Sequence, residues 1–301
     1  MIEEFGYTPI LGWSVTRYDV FSICKRRYFY QYYAKYDREF PVRAILELRD
    51  LVSIPLEIGG IVHELIAALL RRLTKSQREI DLQRLIGFAK ATTERHLRAK
   101  RFEEVYYGLL PDIRLDDLLP RIEQSLESFL TSDRYRWLIS EAIATRQEWL
   151  IDPPGYGETR LGDMKVYCKV DFLFPWREHY HIVDWKTGKP DSAKHRKQLL
   201  GYAAWAAFHY QAQPEQVVAT IAYLHPEYSE VRQTFSAEDL DNFAVQVRAE
   251  TGEMYEYCRD VVLNIPFDKE QFPRVDDDRI CGQCSYRRLC FPDRYQAARA
   301  A

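Results

Sequence analysis

Two acids and a lysine stand near the ends of neighbouring strand-like patterns. Asp171 interrupts the apolar run Val170-Asp171-Phe172, while Asp184 and Lys186 are separated by one residue in the next pattern. Because side chains alternate between the two faces of a strand, Asp184 and Lys186 are expected to point the same way. A carboxylate is a hard ligand for Mg²⁺ or Mn²⁺, and an ammonium can orient water or stabilise charge on a phosphate. The spacing therefore indicates a site that holds a divalent ion and a nucleophilic water together.

Asp171 supports the same interpretation because burying an unpaired charge is costly. A metal shared with Asp184 would compensate that charge. The alternative is that both acids form surface salt bridges, which explains either acid alone better than a metal does. The two acids together favour the shared metal.

The cysteines form a second candidate site. Cys281, Cys284 and Cys290 follow the spacing C-x₂-C-x₅-C, and Cys24 lies far upstream. Four thiolates can hold either Zn²⁺ or a [4Fe–4S] cluster. Cys168 on a strand and Cys258 on a helix are interpreted as core residues.

Hydrophobic periodicity predicts the elements that position these residues. Helical patterns cover residues 14–36, 57–70, 83–101 and 115–130. Strand patterns follow at 146–151, 165–174 and 180–186, then a helix at 194–210, strands at 216–224 and 230–234, and a helix at 237–261. The order predicts an α/β core with helical insertions.

Composition narrows the class of protein. The 301 residues have a formal net charge of −3, which argues against a histone-like or repressor-like binder and is neutral about an enzyme with a local basic groove. No apolar run is long enough to span a membrane, and Met1–Ile10 lacks the basic start of a secretory signal. We therefore expect a cytoplasmic protein with reduced cysteines and no membrane partner.

The motifs together resemble those of the PD-(D/E)XK nuclease superfamily, in the form of the RecB-like family. Asp171 and the Asp184-x-Lys186 unit match its signature, and Gln198 and Tyr202 match its Q-x-x-x-Y motif. The run Gly60-Ile61-Val62-His63 is similar to its upstream glycine–histidine motif. The four cysteines Cys24, Cys281, Cys284 and Cys290 resemble the iron–sulfur clasp of AddB-type and CRISPR-associated RecB-like exonucleases.

The resemblance implies a role for each matched residue. His63, Asp171 and Asp184 would bind Mg²⁺ or Mn²⁺, and Lys186 would position the attacking water. Gln198 and Tyr202, one helical turn apart, would bond a nucleotide or support Lys186. For His63 and Tyr202 the alternative is ordinary core packing. The cysteines would hold a [4Fe–4S] cluster, with Zn²⁺ as the less favoured occupant.

The implied fold is a restriction-endonuclease-like α/β core, a mixed sheet flanked by helices, with a helical insertion and a four-cysteine module joining the N- and C-termini. We expect an N-terminal helical segment (1–50), a helical subdomain (51–140), the nuclease core (141–235), and a helix with the cysteine tail (236–301). Basic residues near the clasp are candidates for tracking a DNA backbone, against a simple solvated face: Lys25, Arg26, Arg27, Arg287 and Arg288. Three histidines flank the site and are further phosphate-contact candidates: His179, His181 and His195.

The implied function is metal-dependent hydrolysis of phosphodiester bonds in DNA, as an exonuclease on single strands or ends in repair, recombination or CRISPR adaptation. A helicase, an integrase or another repair or adaptation protein would be its partner. Two alternatives stay open: a non-catalytic iron–sulfur DNA-binding subunit, and an RNA-processing nuclease. The intact Asp171, Asp184 and Lys186 argue against the first, and a substrate panel decides the second.

Overall fold

The computed structural model describes residues 5–76, 78–153 and 157–297, so both predicted terminal segments include residues outside this range. The α-helices are α1 (Val15–Ile23), α2 (Lys25–Tyr33), α3 (Val42–Arg49), α4 (Ile54–Lys75), α5 (Leu82–Ala99), α6 (Glu103–Tyr106), α7 (Leu115–Thr131), α8 (Asp133–Ser140), α9 (Ser192–Tyr210), α10 (Ala237–Tyr255), α11 (Asp278–Cys281) and α12 (Arg287–Cys290). Short 3₁₀ helices occupy Ala34–Tyr36, Ala142–Glu148, Pro214–Gln216 and Lys269–Gln271.

The strands are β1 (Leu51–Val52), β2 (Arg101–Phe102), β3 (Leu150–Ile151), β4 (Glu158–Leu161), β5 (Met164–Tyr167), β6 (Phe172–Trp176), β7 (His179–Lys186), β8 (Val217–Tyr223), β9 (Ser229–Gln233), β10 (Cys258–Asp260) and β11 (Ile265–Pro266). The main sheet has the order β3-β6-β7-β8-β9. Its pairs are antiparallel except β7 with β8, which run parallel. The predicted fold class, an α/β core around a mixed sheet, is confirmed.

The centre of this sheet is buried on both faces. Every residue of β8 is buried, as expected for an inner strand made of Val, Ala, Ile, Thr and Tyr. On one face Trp185 of β7 packs edge-on against Phe129 of α7, and on the other Tyr180 packs against Tyr210 of α9. Helices on both sides thus fix which way each β7 side chain points.

The helix predicted for residues 14–36 is wrong in one respect, because it is interrupted. Cys24 has an extended backbone (φ −156°, ψ 111°) between α1 and α2. Its sulfur accepts the backbone N–H of Arg27 at 3.5 Å, so Cys24 caps the start of α2. Helical periodicity continues across the interruption, which hides it from the sequence pattern.

Two of the predicted strands are also wrong in extent. The 165–174 pattern is two strands, because β5 pairs with β4 in a separate hairpin whereas β6 joins the main sheet. The 146–151 pattern begins with the end of a 3₁₀ helix, and only Leu150 and Ile151 pair with β6. An alternation this short does not distinguish a strand from a helical turn.

The last long helix ends earlier than the predicted residue 261. It stops at Tyr255, and β10 and β11 form a small antiparallel pair beyond it. The other predicted helices and strands are present with shifted ends. None of the described helices combines the length and the apolar character needed to cross a bilayer.

The chain divides into two compact units. Most of the first, here called the sheet unit, is Pro55–Arg98 and Arg114–Val245. The second, the cysteine unit, contains Gly6–Ile54, Ala99–Ile113 and the chain from Gln246 onward. The cysteine unit is therefore built from three chain segments, including one from the middle of the sequence.

Candidate active site and cysteine cavity

Asp184 lies near the end of β7 with only 2% of its surface exposed. One carboxylate oxygen, Oδ1, accepts hydrogen bonds from Gln198 Nε2 at 3.0 Å and from the Tyr202 hydroxyl. The other, Oδ2, lies 2.5 Å from Lys186 Nζ but has no partner in hydrogen-bond geometry. Both residues of the Q-x-x-x-Y motif thus contact Asp184 and hold its orientation.

Asp171 immediately precedes β6 and is tied to the strand that carries Asp184. Its Oδ2 accepts the backbone N–H of Trp185 at 3.0 Å, and its Oδ1 lies 3.2 Å from His63 Nδ1. His63 comes from α4, and its Nε2 donates to the carbonyl oxygen of Trp185 at 2.6 Å. The structure therefore brings His63, Asp171, Asp184, Lys186, Gln198 and Tyr202 together, as the sequence motifs predicted for their positions.

The two acids differ in electrostatic environment. Burial, with the nearby charge of Asp171, raises the pKa of Asp184 even though Lys186 and Tyr202 act against the increase. Burial would also raise the pKa of Asp171, but the charge of His63 and its hydrogen bond outweigh it, and the pKa falls. Burial opposes protonation of His63, but Asp171 prevails and raises its pKa. Asp171 and His63 thus form an ion pair, while Asp184 is difficult to ionise.

Helix α9 supplies one face of the site. Asp191 begins the helix by accepting the N–H of Lys194 at 3.1 Å. His195, Gln198 and Tyr202 follow at spacings of three and four, which places them on one side of the helix. A stabilised helix start therefore fixes the position of these three side chains.

Tyr223 is a neighbour of the site that the motifs do not reveal. It pairs in register with Lys186 across β7 and β8, so the two side chains lie on the same face. Its hydroxyl is 2.5 Å from His195 Nδ1, and both residues are buried. Burial, followed by the charge of Lys186, lowers the pKa of His195. The only advance signal for Tyr223 is its place at the end of the next strand.

The other two flanking histidines are not close to this arrangement. His181 points to the opposite sheet face, where its ring stacks on Phe174 and contacts Trp137. Burial and the charge of Arg134 lower the pKa of His181 to about 4. His179 contacts the ring of His181 at the far end of β7. Neither supports a role at Lys186.

The four cysteines of the predicted clasp surround one cavity in the cysteine unit. Cys24, Cys281, Cys284 and Cys290 all line it. Burial is the main cause that raises the pKa of Cys284 to about 11 and that of Cys290 to about 12. These two thiols therefore stay protonated at neutral pH even though Arg27 acts on Cys284, and Arg26 and Arg274 act on Cys290.

The middle segment of the chain packs against the cysteine loop. Arg287 is buried, forms an ion pair with Glu103, and lies 3.4 Å from the ring centre of Tyr107. The Tyr107 hydroxyl donates to the carbonyl oxygen of Ser285 at 2.6 Å. A DNA-tracking surface at Arg287 is therefore wrong, because this cation is enclosed within the protein.

Two other predicted basic residues also have internal contacts. Arg26 donates to the carbonyl oxygen of Phe272 at 2.9 Å, and Lys25 donates to that of Phe21 at 3.0 Å. Arg26 thus joins two distant chain segments within the cysteine unit, whereas Lys25 bonds the nearby α1. That role accounts for part of the basic run around Cys24.

As they stand, no three His, Cys, Asp or Glu side chains within residues 5–76, 78–153 and 157–297 are grouped so as to hold a metal ion. In the sheet unit, His63 uses both ring nitrogens on protein oxygens, and Asp184 Oδ1 is occupied by Gln198 and Tyr202. Metal binding would displace a proton from His63 in the sheet unit and from Cys284 and Cys290 in the cysteine cavity.

Comparison with known proteins gives one family match. The model of the PD-(D/E)XK nuclease superfamily matches residues 12–291. No curated protein matches the sequence. A solved structure titled "Crystal structure of SSO0001" is 14% identical and covers 71% of this chain and 98% of its own, with a TM-score of 0.29. A likeness that weak has no bearing on function.

Proposed function

The chain belongs to the PD-(D/E)XK nuclease superfamily, and on this premise we propose that it hydrolyses phosphodiester bonds in DNA as an exonuclease on single strands or ends. The superfamily makes it a metal-dependent nuclease. The finer proposal includes a setting in the cytoplasm, in repair, recombination or CRISPR adaptation, beside a helicase or integrase. Its support is the resemblance of the motifs to RecB-like exonucleases.

One observation carries the catalytic proposal: Asp171, just before β6, lies beside the end of β7 that holds Asp184 and Lys186, and each acid is oriented by separate partners. Gln198 and Tyr202 hold Asp184, while His63 and the Trp185 backbone hold Asp171. Surface salt bridges do not explain this arrangement, because Asp184 is buried. An enclosed acid pair with a lysine suits hydrolysis of a charged substrate better than structural pairing.

The donor groups fit Mg²⁺ or Mn²⁺. Asp184 Oδ2 is a buried hard oxygen that lies 2.5 Å from Lys186 Nζ, and burial and the charge of Asp171 raise the pKa of this carboxyl. A cation between the two acids would relieve that repulsion. His63 Nδ1 and Asp171 Oδ1 lie 3.2 Å apart, and together with Asp184 they would hold the ion.

Each residue then has a defined task. A bound divalent ion would supply Lewis-acid stabilisation and a more acidic water. His63 keeps its Nε2 proton on Trp185, which fixes the ring and leaves Nδ1 to exchange its proton for a ligand bond. Lys186 orients the attacking water or offsets the charge that develops on the phosphate. Gln198 and Tyr202 are positioning residues, since their contacts are with Asp184.

The test is a substrate panel. Purified protein with Mg²⁺ or Mn²⁺ is incubated with end-labelled single-stranded, double-stranded and circular DNA and with RNA, beside Lys186→Ala. Lys90→Ala, at an exposed position of α5, is the matched control. We expect linear single strands to be degraded, circles to resist, and only Lys186→Ala to be inactive. Cleavage of circles would replace the exonuclease with an endonuclease, preference for RNA would establish the RNA-processing alternative, and equal activity in both variants would overturn the site.

We also propose that Cys24, Cys281, Cys284 and Cys290 hold a [4Fe–4S] cluster. The support is that four thiols from the two ends of the chain line one cavity. A zinc ribbon is more often built from two close pairs, so three cysteines with one distant partner favour the cluster. Anaerobically purified protein should be brown and contain iron and sulfide. A colourless protein with one zinc would replace the cluster and leave the nuclease proposal standing.

A further inference from the structure

Arg121 reaches the active-site end of the sheet from α7. Its Nη2 donates at 2.7 Å to the carbonyl oxygen of Thr187, the residue that follows Lys186. Thr187 is buried and closely packed, since a Cβ on Gly59 would lie 3.3 Å from its hydroxyl oxygen. The guanidinium is therefore anchored to a firmly held strand end, one residue beyond the proposed catalytic lysine.

In the described part of the chain, the charge of Arg121 has no carboxylate counterpart. Among residues 5–76, 78–153 and 157–297, no ion pair to Arg121 is found, and its Nε is buried without a hydrogen-bond partner. Arg134, in the next helix, shows what a structural arginine does here. Its Nε and Nη2 each donate at 2.7 Å to one carboxylate oxygen of Glu230. A partly enclosed arginine without such a partner is suited to bind an anion from solution.

His225 offers a second unoccupied nitrogen in the same neighbourhood. It follows β8, and its Nδ1 is buried without a hydrogen-bond partner among the described residues. Burial and then the charge of Arg121 lower its pKa, so the two side chains influence each other electrostatically. Gln124, one turn beyond Arg121, donates at 3.2 Å to the carbonyl oxygen of Pro226. Helix α7 is thus bonded to the chain after β7 and to the chain after β8.

We propose that Arg121 and His225 form a phosphate-binding subsite next to Lys186. It would take a phosphate group of the substrate other than the one being cleaved, either an internal phosphodiester or a terminal monophosphate. Phosphate oxygens would accept hydrogen bonds from the Arg121 guanidinium and from His225, and would neutralise the arginine. The inference rests on the proposed nuclease function for its biological meaning, but the binding it predicts can be measured without cleavage.

The experiment measures equilibrium binding in EDTA, so that no hydrolysis occurs. A fluorescent single-stranded oligonucleotide is titrated with parent protein, Arg121→Gln, Arg121→Lys, His225→Gln and Arg136→Gln at several salt concentrations. Arg136 is the matched control because it also donates to a backbone carbonyl, that of Thr131, but its charge is paired with Asp133. Oligonucleotides with a 5′-phosphate and a 5′-hydroxyl, and a circular single strand, distinguish the two sources of phosphate.

We expect Arg121→Gln to weaken binding about tenfold and to reduce the dependence of log K on log salt by about 0.7, the value for one lost phosphate contact on a single strand. Arg121→Lys and His225→Gln should each weaken binding about threefold, and Arg136→Gln less than twofold. Weakening on all three oligonucleotides identifies an internal phosphodiester, and weakening only with the 5′-phosphate identifies a terminal one. Both support the subsite.

Unchanged affinity and salt dependence in Arg121→Gln would overturn the subsite, as would a parent protein that does not bind the oligonucleotide. If Arg121→Gln fails to fold, unchanged binding by both Arg121→Lys and His225→Gln would also overturn the subsite. These outcomes can be distinguished from those that test the nuclease proposal. Weakened binding in a protein that cleaves nothing retains the subsite and rejects the nuclease. An active enzyme with unchanged binding retains the nuclease and rejects the subsite.

Discussion

The sheet unit and the cysteine unit enclose reactive groups in different ways. At the end of β7, the protein itself provides partners: His63 for Asp171, and Gln198 and Tyr202 for Asp184. Around the cysteine cavity, burial outweighs the nearby positive charges, Arg27 for Cys284 and Arg26 and Arg274 for Cys290, and both thiols stay protonated. The contrast predicts that the proposed hydrolytic site is formed before an ion binds, while the proposed cluster would stabilise the cysteine cavity.

Removal of divalent ions should have the largest effect on cleavage and little effect on folding. EDTA should abolish hydrolysis, Mg²⁺ or Mn²⁺ should restore it, and Ca²⁺ should bind without supporting turnover, because only an ion of suitable size orients the attacking water. The melting temperature should change by less than about 2 °C, since protein groups already hold the acids. Parallel cleavage assays and thermal melts check this, and full activity in EDTA would reject the mechanism.

Asp184→Asn should separate activity from stability. Cleavage should fall by at least ~10²-fold because a metal-binding carboxylate is lost. Stability at neutral pH should be unchanged or higher, because a carboxyl whose folded-state pKa is raised stabilises the fold less once it ionises. Any gain in stability of Asp184→Asn over the parent protein should shrink as the pH falls, because Asp184 then becomes protonated in the parent protein.

Urea unfolding at pH 7 and pH 5 measures that difference. Asp241→Asn, at an exposed acid on α10, is the matched control and should change neither cleavage nor stability. A neutral-pH loss of stability in Asp184→Asn would mean that the ionised carboxylate contributes more to the fold than burial takes away.

Cys24→Ala should have the opposite effect on stability to Asp184→Asn, because it should destabilise the protein. The proposed cluster links Cys24 to Cys281 and closes a loop of 257 residues (281 − 24), which restricts the unfolded chain by ~5 kcal/mol on the loop-entropy model. We expect loss of colour, reduced soluble yield and a clearly lower melting temperature. Cys168→Ala, at a buried cysteine that does not line the cavity, should keep the colour. Absorption near ~400 nm and iron analysis decide between them.

Stable, metal-free protein with all four thiols freely titratable would contradict the clasp. One zinc per chain with the same loss of stability would retain the clasp and change its occupant. Both outcomes leave the comparison of Asp184→Asn with its control unaffected.

The sequence was sufficient for the α/β class, and strand alternation placed Asp184 and Lys186 on one face. Grouping them with His63, Gln198 and Tyr202 depended on the resemblance to the nuclease family. The sequence was insufficient where pairing between distant segments determines the structure. The 165–174 pattern divides because β5 and β6 have different partner strands. Cys24 interrupts a helical pattern because its sulfur caps α2. Tyr223 and Arg121 come near Lys186 only through strand register and helix packing, neither of which a short motif encodes.

The smallest predicted effect tests whether Tyr202 positions Asp184 or takes part in the chemistry. Tyr202→Phe removes one hydrogen bond to Asp184 Oδ1 and leaves the one from Gln198. A lost hydrogen bond of about 1 kcal/mol predicts a fall in kcat of about fivefold with KM unchanged. Because that bond lowers the pKa of Asp184, its removal should shift the acidic limb of the pH–rate profile to higher pH. Tyr210→Phe, a tyrosine of the same helix that packs on Tyr180, should leave both unchanged. A loss as large as that of Lys186→Ala would instead assign Tyr202 a direct part in the reaction.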